Sequence, residues 1–188
     1  IPNLTATTNK ASQSLELNLL SSLNQRHLRT RKSDNTLKAR ISSFETARGL
    51  QAEAPQIMDL SRESKETFEL YGASPDDPTS YASQVIMARR MIEAGVRFVE
   101  VIDAIGACRD NWDAAHRDIG SHAKYAQRVD QPAAALITDL KQRGLFNDVL
   151  LIFCTEFGRT PWAQDGKGTK SRAHHPHAFS CWLAGAGV

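Results

Sequence analysis

Asp113 and His116 stand three residues apart, and Glu156 directly follows the almost wholly apolar run from Leu150 to Thr155. Five of the six histidines fall between His116 and His177. Carboxylate oxygen and imidazole nitrogen together suit zinc, manganese or iron better than calcium. A charge placed straight after an apolar run needs a partner or water. For Glu156 that partner is either a metal ion or the nearby Arg159. Three histidines, His174, His175 and His177, occupy a stretch of four residues, and one ligand among them is a better expectation than three. His122 reads equally well as a surface residue at a helix start. Arg159 and Arg172 carry guanidinium groups that match phosphate or sulfate oxygens two at a time. Their plain alternative is solvated loop charge. The chemistry these residues suggest is metal-assisted reaction on an anionic ester.

Elements must carry these groups to one place. The run 150–155 reads as a central strand covered on both faces, and open α/β sheets bind ligands at strand C-terminal edges. Residues 96–102 read as an earlier strand leading into Trp112-Asp113-Ala114-Ala115-His116. Between the two lies a helix ending near Arg143, with Val129, Ala133, Leu136, Ile137 and Leu140 facing inward, Pro132 inside it and Gly144 stopping it. Strand, helix, strand in that order predicts a right-handed crossover in a parallel sheet. A polar loop from Ala163 to Ala173 precedes the histidines and a last strand, 179–184.

Upstream the pattern is helical. From Ser12 to about Arg29, Leu15, Leu19, Leu20 and Leu23 share one helical face. Ser33-Asp34 offers an N-cap for a second helix carrying Leu37, Ile41, Phe44 and Ala47. The two predict a hairpin that Pro55 ends. A short helix from about Glu63 to Tyr71 follows, and a further one from Thr79 to Ala94 that Gly95 caps. The expected organisation is a helical segment, 1–72, then a partial α/β domain, 73–188.

Composition narrows the classes. The net charge of +2 argues neither for nor against nucleic acid, no nucleic-acid partner is expected, and no apolar run is long enough to span a bilayer. The basic group at Arg26, Arg29, Arg31 and Lys32 reads as a solvated helix end. Cys108, Cys154 and Cys181 show no metal-ribbon spacing; the last two sit in apolar runs and read as small buried hydrophobes. Gly-x-Ser-x-Gly, phosphate-loop and dinucleotide glycine patterns are missing, which argues against a Ser-His-Asp hydrolase. Both ends read as cuts, so the expectation is a piece of a longer protein.

Several boxes together resemble the DUF1501 family, sulfatase-like proteins grouped with the alkaline phosphatase superfamily. They are Trp112-Asp113-Ala114-Ala115-His116, Thr155-Glu156-Phe157-Gly158-Arg159-Thr160-Pro161, His174-His175-Pro176 and Trp182-Leu183-Ala184-Gly185-Ala186-Gly187. The resemblance covers roughly residues 12–188. It implies an α/β fold, a parallel doubly wound sheet of alkaline phosphatase-like type, incomplete here and preceded by the helical segment. It also implies one or two divalent metals. By position, Asp113, His116 and His174 would bind one ion, and Glu156 would help to bind another. Zinc leads, with manganese, iron, magnesium or calcium as alternatives.

The family pattern is not matched throughout. The Trp-Asp-x-His box carries one extra residue, leaving His116 and His122 as alternatives for its histidine. Phe157 stands where the superfamily has a metal-binding histidine, and Ala173 where an Asp commonly precedes the later one. The superfamily's nucleophile belongs near the start of a full domain and is expected to be missing from this chain.

The functional expectation is the C-terminal part of a metal-dependent sulfate- or phosphate-ester hydrolase, with Arg159 adding to the charge clamp. Its partner would be a sulfated or phosphorylated small molecule or glycan. The family usually carries an export signal, which implies a periplasmic or secreted protein. The rival is a catalytically inactive member that binds an anionic glycan or a protein partner.

Overall fold

A computed structural model of the chain describes residues 9–31, 34–103, 111–155, 157–164 and 168–188. The chain divides into two compact units, Ile1–Asp59 and Leu60–Val188.

The first unit is a pair of helices, α1 (Lys10–Thr30) and α2 (Asn35–Met58). Asn9 and Asp34 cap them by accepting from the amides of Ser12 and Leu37. Gln13 bonds to Gln51 and Asn18 to Arg48, so the helices run antiparallel as a hairpin. Pro55 does not end α2; it lies one turn from the end at Met58, and its missing N–H removes a single ladder bond. Leu15, Leu19, Leu20 and Leu23 are half or more exposed.

The second unit holds its core between three helices, α3 (Lys65–Tyr71), α4 (Tyr81–Glu93) and α5 (His122–Gln142). Ser64 and Ser80 cap α3 and α4. Phe68, Tyr71, Tyr81, Val85, Ile86, Val129 and Ala135 form the buried cluster. Of the α5 residues predicted to face inward, Val129 and Leu140 are buried and Ala133, Leu136 and Ile137 half-buried. Helix α5 continues through Pro132, itself buried.

A balanced set of charges runs through this helical core. Arg89, 2% exposed, donates to Glu63 and Glu93 at 2.6 Å each, and its Nε lies 3.1 Å from Asp139. Arg90 donates to Glu63, and Arg143 to Glu93 and Asp139. The Tyr71 hydroxyl donates to Asp139 at 2.9 Å. Burial and the Asp139 charge push the Tyr71 hydroxyl well above its ordinary range. Three guanidinium groups against three carboxylates leave no buried net charge, the condition under which burying ions is tolerable.

The sheet expected from the sequence is not found among the described residues. In place of a parallel doubly wound sheet, the described residues form two small antiparallel pairs. Strand β1 (Leu150–Cys154) pairs with β4 (Cys181–Gly185), and β2 (Gly158–Arg159) with β3 (His174–His175). Residues 96–103 form no strand. The chain leaves α4 through Gly95, whose φ of +89° lets its amide and that of Val96 bond back to Ile92 and Met91. Beyond that cap the segment pairs with no strand among the described residues. Phe98 is 81% exposed. Nor is β1 covered on both faces, since Ile152 is 62% exposed. Cys154 and Cys181 are likewise exposed rather than buried.

Candidate metal centre

The donors meet on a short 3-10 helix, Trp112–His116. Asn111 caps it by accepting from the Asp113 amide at 2.9 Å. A 3-10 helix has three residues per turn, so side chains at i and i+3 eclipse. Asp113 and His116 therefore stack, with Oδ1 and Nε2 3.0 Å apart. The extra residue in the Trp-Asp-x-His box finds its explanation here: two intervening residues are what this turn needs. A 3-10 turn, not a strand end, delivers these two groups.

Trp112 anchors the turn. Its indole N–H donates to Asp103 at 2.8 Å, and Arg128 donates to the same oxygen. Its ring meets the edge of His122, which hydrogen-bonds through Nε2 to the Trp112 carbonyl at 2.8 Å. His122 is thereby occupied in holding the turn, and of the two alternatives it is His116 that faces the other donors.

The third donor comes from β3. Arg159 and His174 are register partners across β2 and β3, so their side chains leave the ladder on one face. Both reach Asp113 Oδ1, Arg159 Nη2 at 3.1 Å and His174 Nε2 at 3.3 Å. His174 Nε2 is also 2.8 Å from His116 Nε2. The ladder sits close against the following backbone: a Cβ at Gly158 would lie 2.2 Å from the Ala178 carbonyl oxygen. Backbone bonds from Arg172 to Ala115 and from Ile119 to Lys170 fasten the 3-10 turn to the loop before β3.

Outer partners fix the geometry. Gln164 Oε1 lies 2.5 Å from His116 Nδ1. An amide oxygen only accepts, so this contact favours the tautomer with the proton on Nδ1, the one that leaves the Nε2 lone pair for a ligand. Ser171, fully buried, accepts from the Gln164 amide and donates to the Gly168 carbonyl, holding that loop. The Phe157 ring packs 4.3 Å from the His174 ring. Asp113 feels opposing influences: partial burial raises its pKa, but hydrogen bonds from Arg159 and His174 and the nearby positive charge outweigh it. The net result holds the carboxyl below its usual range, and Asp113 stays ionised.

This donor set fits a divalent ion. The three ligand atoms lie within 4.8 Å of one another. Tetrahedral bonds of about 2.0–2.1 Å would separate donors by roughly 3.3 Å, against the 3.0, 3.3 and 2.8 Å seen here. Two imidazoles and one carboxylate leave a fourth position open, the pattern of a catalytic rather than a structural zinc site.

Of the residues singled out in the sequence, Asp113, His116 and His174 come together, and Arg159 joins them through Asp113. Glu156 lies outside the described residues, as does Cys108. His175 and His177 meet each other edge to face, away from the triad. Arg172 is spent on the carbonyls of Thr169 and Ser171 rather than facing an anion. Gln164 and Asn111 were not foreseen. Asn111 ahead of Trp-Asp was a readable cap signal, whereas nothing near Gln164 marks it.

No curated protein and no solved structure matches the chain. The family model described as "Protein of unknown function (DUF1501)" matches residues 3–188, almost the whole length, and the chain therefore belongs to the DUF1501 family.

Proposed function

We propose that Asp113, His116 and His174 bind one divalent ion, zinc by preference, in a hydrolase acting on sulfate or phosphate esters. The convergence of three donor atoms, with an open fourth position, carries this reading. Bound there, the metal supplies Lewis-acid polarisation of the ester oxygen. The chain's own residues do the rest. Among the described residues, Arg159 donates to Asp113 through Nη2, and its buried Nη1 has no hydrogen-bond partner. That free donor is available to an anionic oxygen, where guanidinium geometry matches sulfate and phosphate. Gln164 holds His116 in the ligating tautomer, and Phe157 shields one side of His174 from water.

Phe157 also favours a second reading, an inactive relative that retains one ion and binds an anionic glycan or protein without turnover. The ring lies against His174, where a further imidazole would have extended the donor set. Assays of the full-length protein on aryl sulfate and aryl phosphate, with and without chelator, separate the two. Chelator-sensitive hydrolysis of either ester supports the hydrolase. Silence on both, in metal-loaded protein, supports the binder.

A further inference from the structure

Cys154 ends β1, Cys181 begins β4, and the register sets them directly opposite each other. The kind of pair they form follows from one bond further along. The Ala186 amide donates to the Val149 carbonyl at 3.0 Å, one step beyond the Leu150–Gly185 pair. Hydrogen-bonded and non-hydrogen-bonded pairs alternate along an antiparallel ladder. Counting from 149 and 186, residues 151/184 and 153/182 are hydrogen-bonded pairs, and 154/181 is a non-hydrogen-bonded one. In such a pair the Cα atoms lie about 4.5 Å apart, and the side chains share a face. A disulfide needs Cα atoms roughly 4.4–6.8 Å apart. Both thiols are free and exposed. Next to them on the other face, Phe153 and Trp182 stack 3° from parallel with centroids 5.3 Å apart, which keeps this end of the ladder closed.

We propose that Cys154 and Cys181 are a redox-active pair that closes into a cross-strand disulfide, with a low-molecular-weight disulfide such as oxidised glutathione as oxidant. One cysteine thiolate attacks a sulfur of the oxidant, its S–S bond breaks, and one glutathione thiolate leaves. The second cysteine thiolate then attacks the protein sulfur of that mixed disulfide and expels the other glutathione. Two electrons pass to the oxidant, and the two thiol protons end on the two glutathione thiols.

The bond closes the segment 155–180, which carries Phe157, Arg159, Gln164 and His174. Closing a loop removes conformations from the unfolded chain more than from the folded one. The disulfide therefore favours the arrangement that sets Arg159 opposite His174. Nothing in this proposal depends on a metal being bound.

The test treats the intact protein with oxidised glutathione, alkylates the remaining thiols and digests with trypsin without reductant. Arg159 and Arg172 both lie between the two cysteines, so only a disulfide keeps the peptide ending at Arg159 attached to the one beginning at Ala173. The expected result is that linked pair, dissolved by reductant, with a melting temperature on the order of 5–15 °C above the reduced protein. Cys154→Ser and Cys181→Ser should each retain one glutathione on the surviving cysteine. Wild-type protein in which both thiols are alkylated, or each separately carries glutathione, overturns the proposal. So does linkage to Cys108, or between molecules, in place of the predicted bond.

Discussion

Arg159 and His174 face each other across a two-residue ladder, and both reach the same oxygen of Asp113, at 3.1 and 3.3 Å. The smaller of the two sheets among the described residues thus does the positioning that a large parallel sheet would otherwise do. Its register fixes which side chains share a face, and the 3-10 turn fixes where Asp113 meets them.

Gln164 is expected to matter for metal binding without touching the metal. Gln164→Ala frees the His116 Nδ1 proton and should weaken zinc about 10–100-fold. Gln164→Glu keeps an acceptor at that position and should restore binding. Zinc affinity of both variants, read beside unchanged melting temperatures, separates this effect from simple destabilisation.

Gly158 has no room for a side chain. Its Cβ would meet backbone at Ala178 rather than a flexible group, so Gly158→Ala should cost about 1–3 kcal/mol. Denaturant unfolding reads that loss. Zinc binding should weaken too, because the neighbouring Arg159 and its partner His174 would shift with the ladder.

Arg89 holds together carboxylates from three parts of the second unit, Glu63, Glu93 and Asp139. Arg89→Met leaves buried negative charge uncompensated and should cost about 3–5 kcal/mol. A midpoint in urea close to that of the wild type would contradict the account of this network.

Acid should reach the same network. Burial raises the Glu63 pKa, but hydrogen bonds and charge from Arg90 and Arg89 more than reverse it, leaving the group below its ordinary value of 4.5. The folded form therefore binds this proton less readily than the unfolded one. Glu63 adds stability that is fully present above about pH 4.5 and is lost as the pH falls through its lowered folded value. Stability curves should decline below that point in the wild type and decline less steeply in Glu63→Gln.

The helices were legible because their signals are local. Ser80 caps α4 and Gly95 closes it, and each acts within one turn of its own position. Asp113 and His116 were legible as candidate donors because a carboxylate and an imidazole three apart suggest that chemistry, whereas His174 was set apart from His175 and His177 only by the family resemblance. The sheet was not legible. A short apolar run such as 150–154 reads alike whether one face or two are covered, and its partner β4 is set by a return of the chain that no local pattern specifies. Gln164, 48 residues from His116, and Glu63, 26 residues from Arg89, are neutral or ordinary surface residues by sequence. Their roles arise only once the chain has folded.

Zinc titration of metal-free protein tests the centre most directly, comparing wild type with Asp113→Asn, His116→Ala and His174→Ala, and with His177→Ala as the control. The account predicts one zinc per chain, a loss of at least about 100-fold in affinity for each triad variant, and no change in the control. Wild-type affinity in all three triad variants would contradict it.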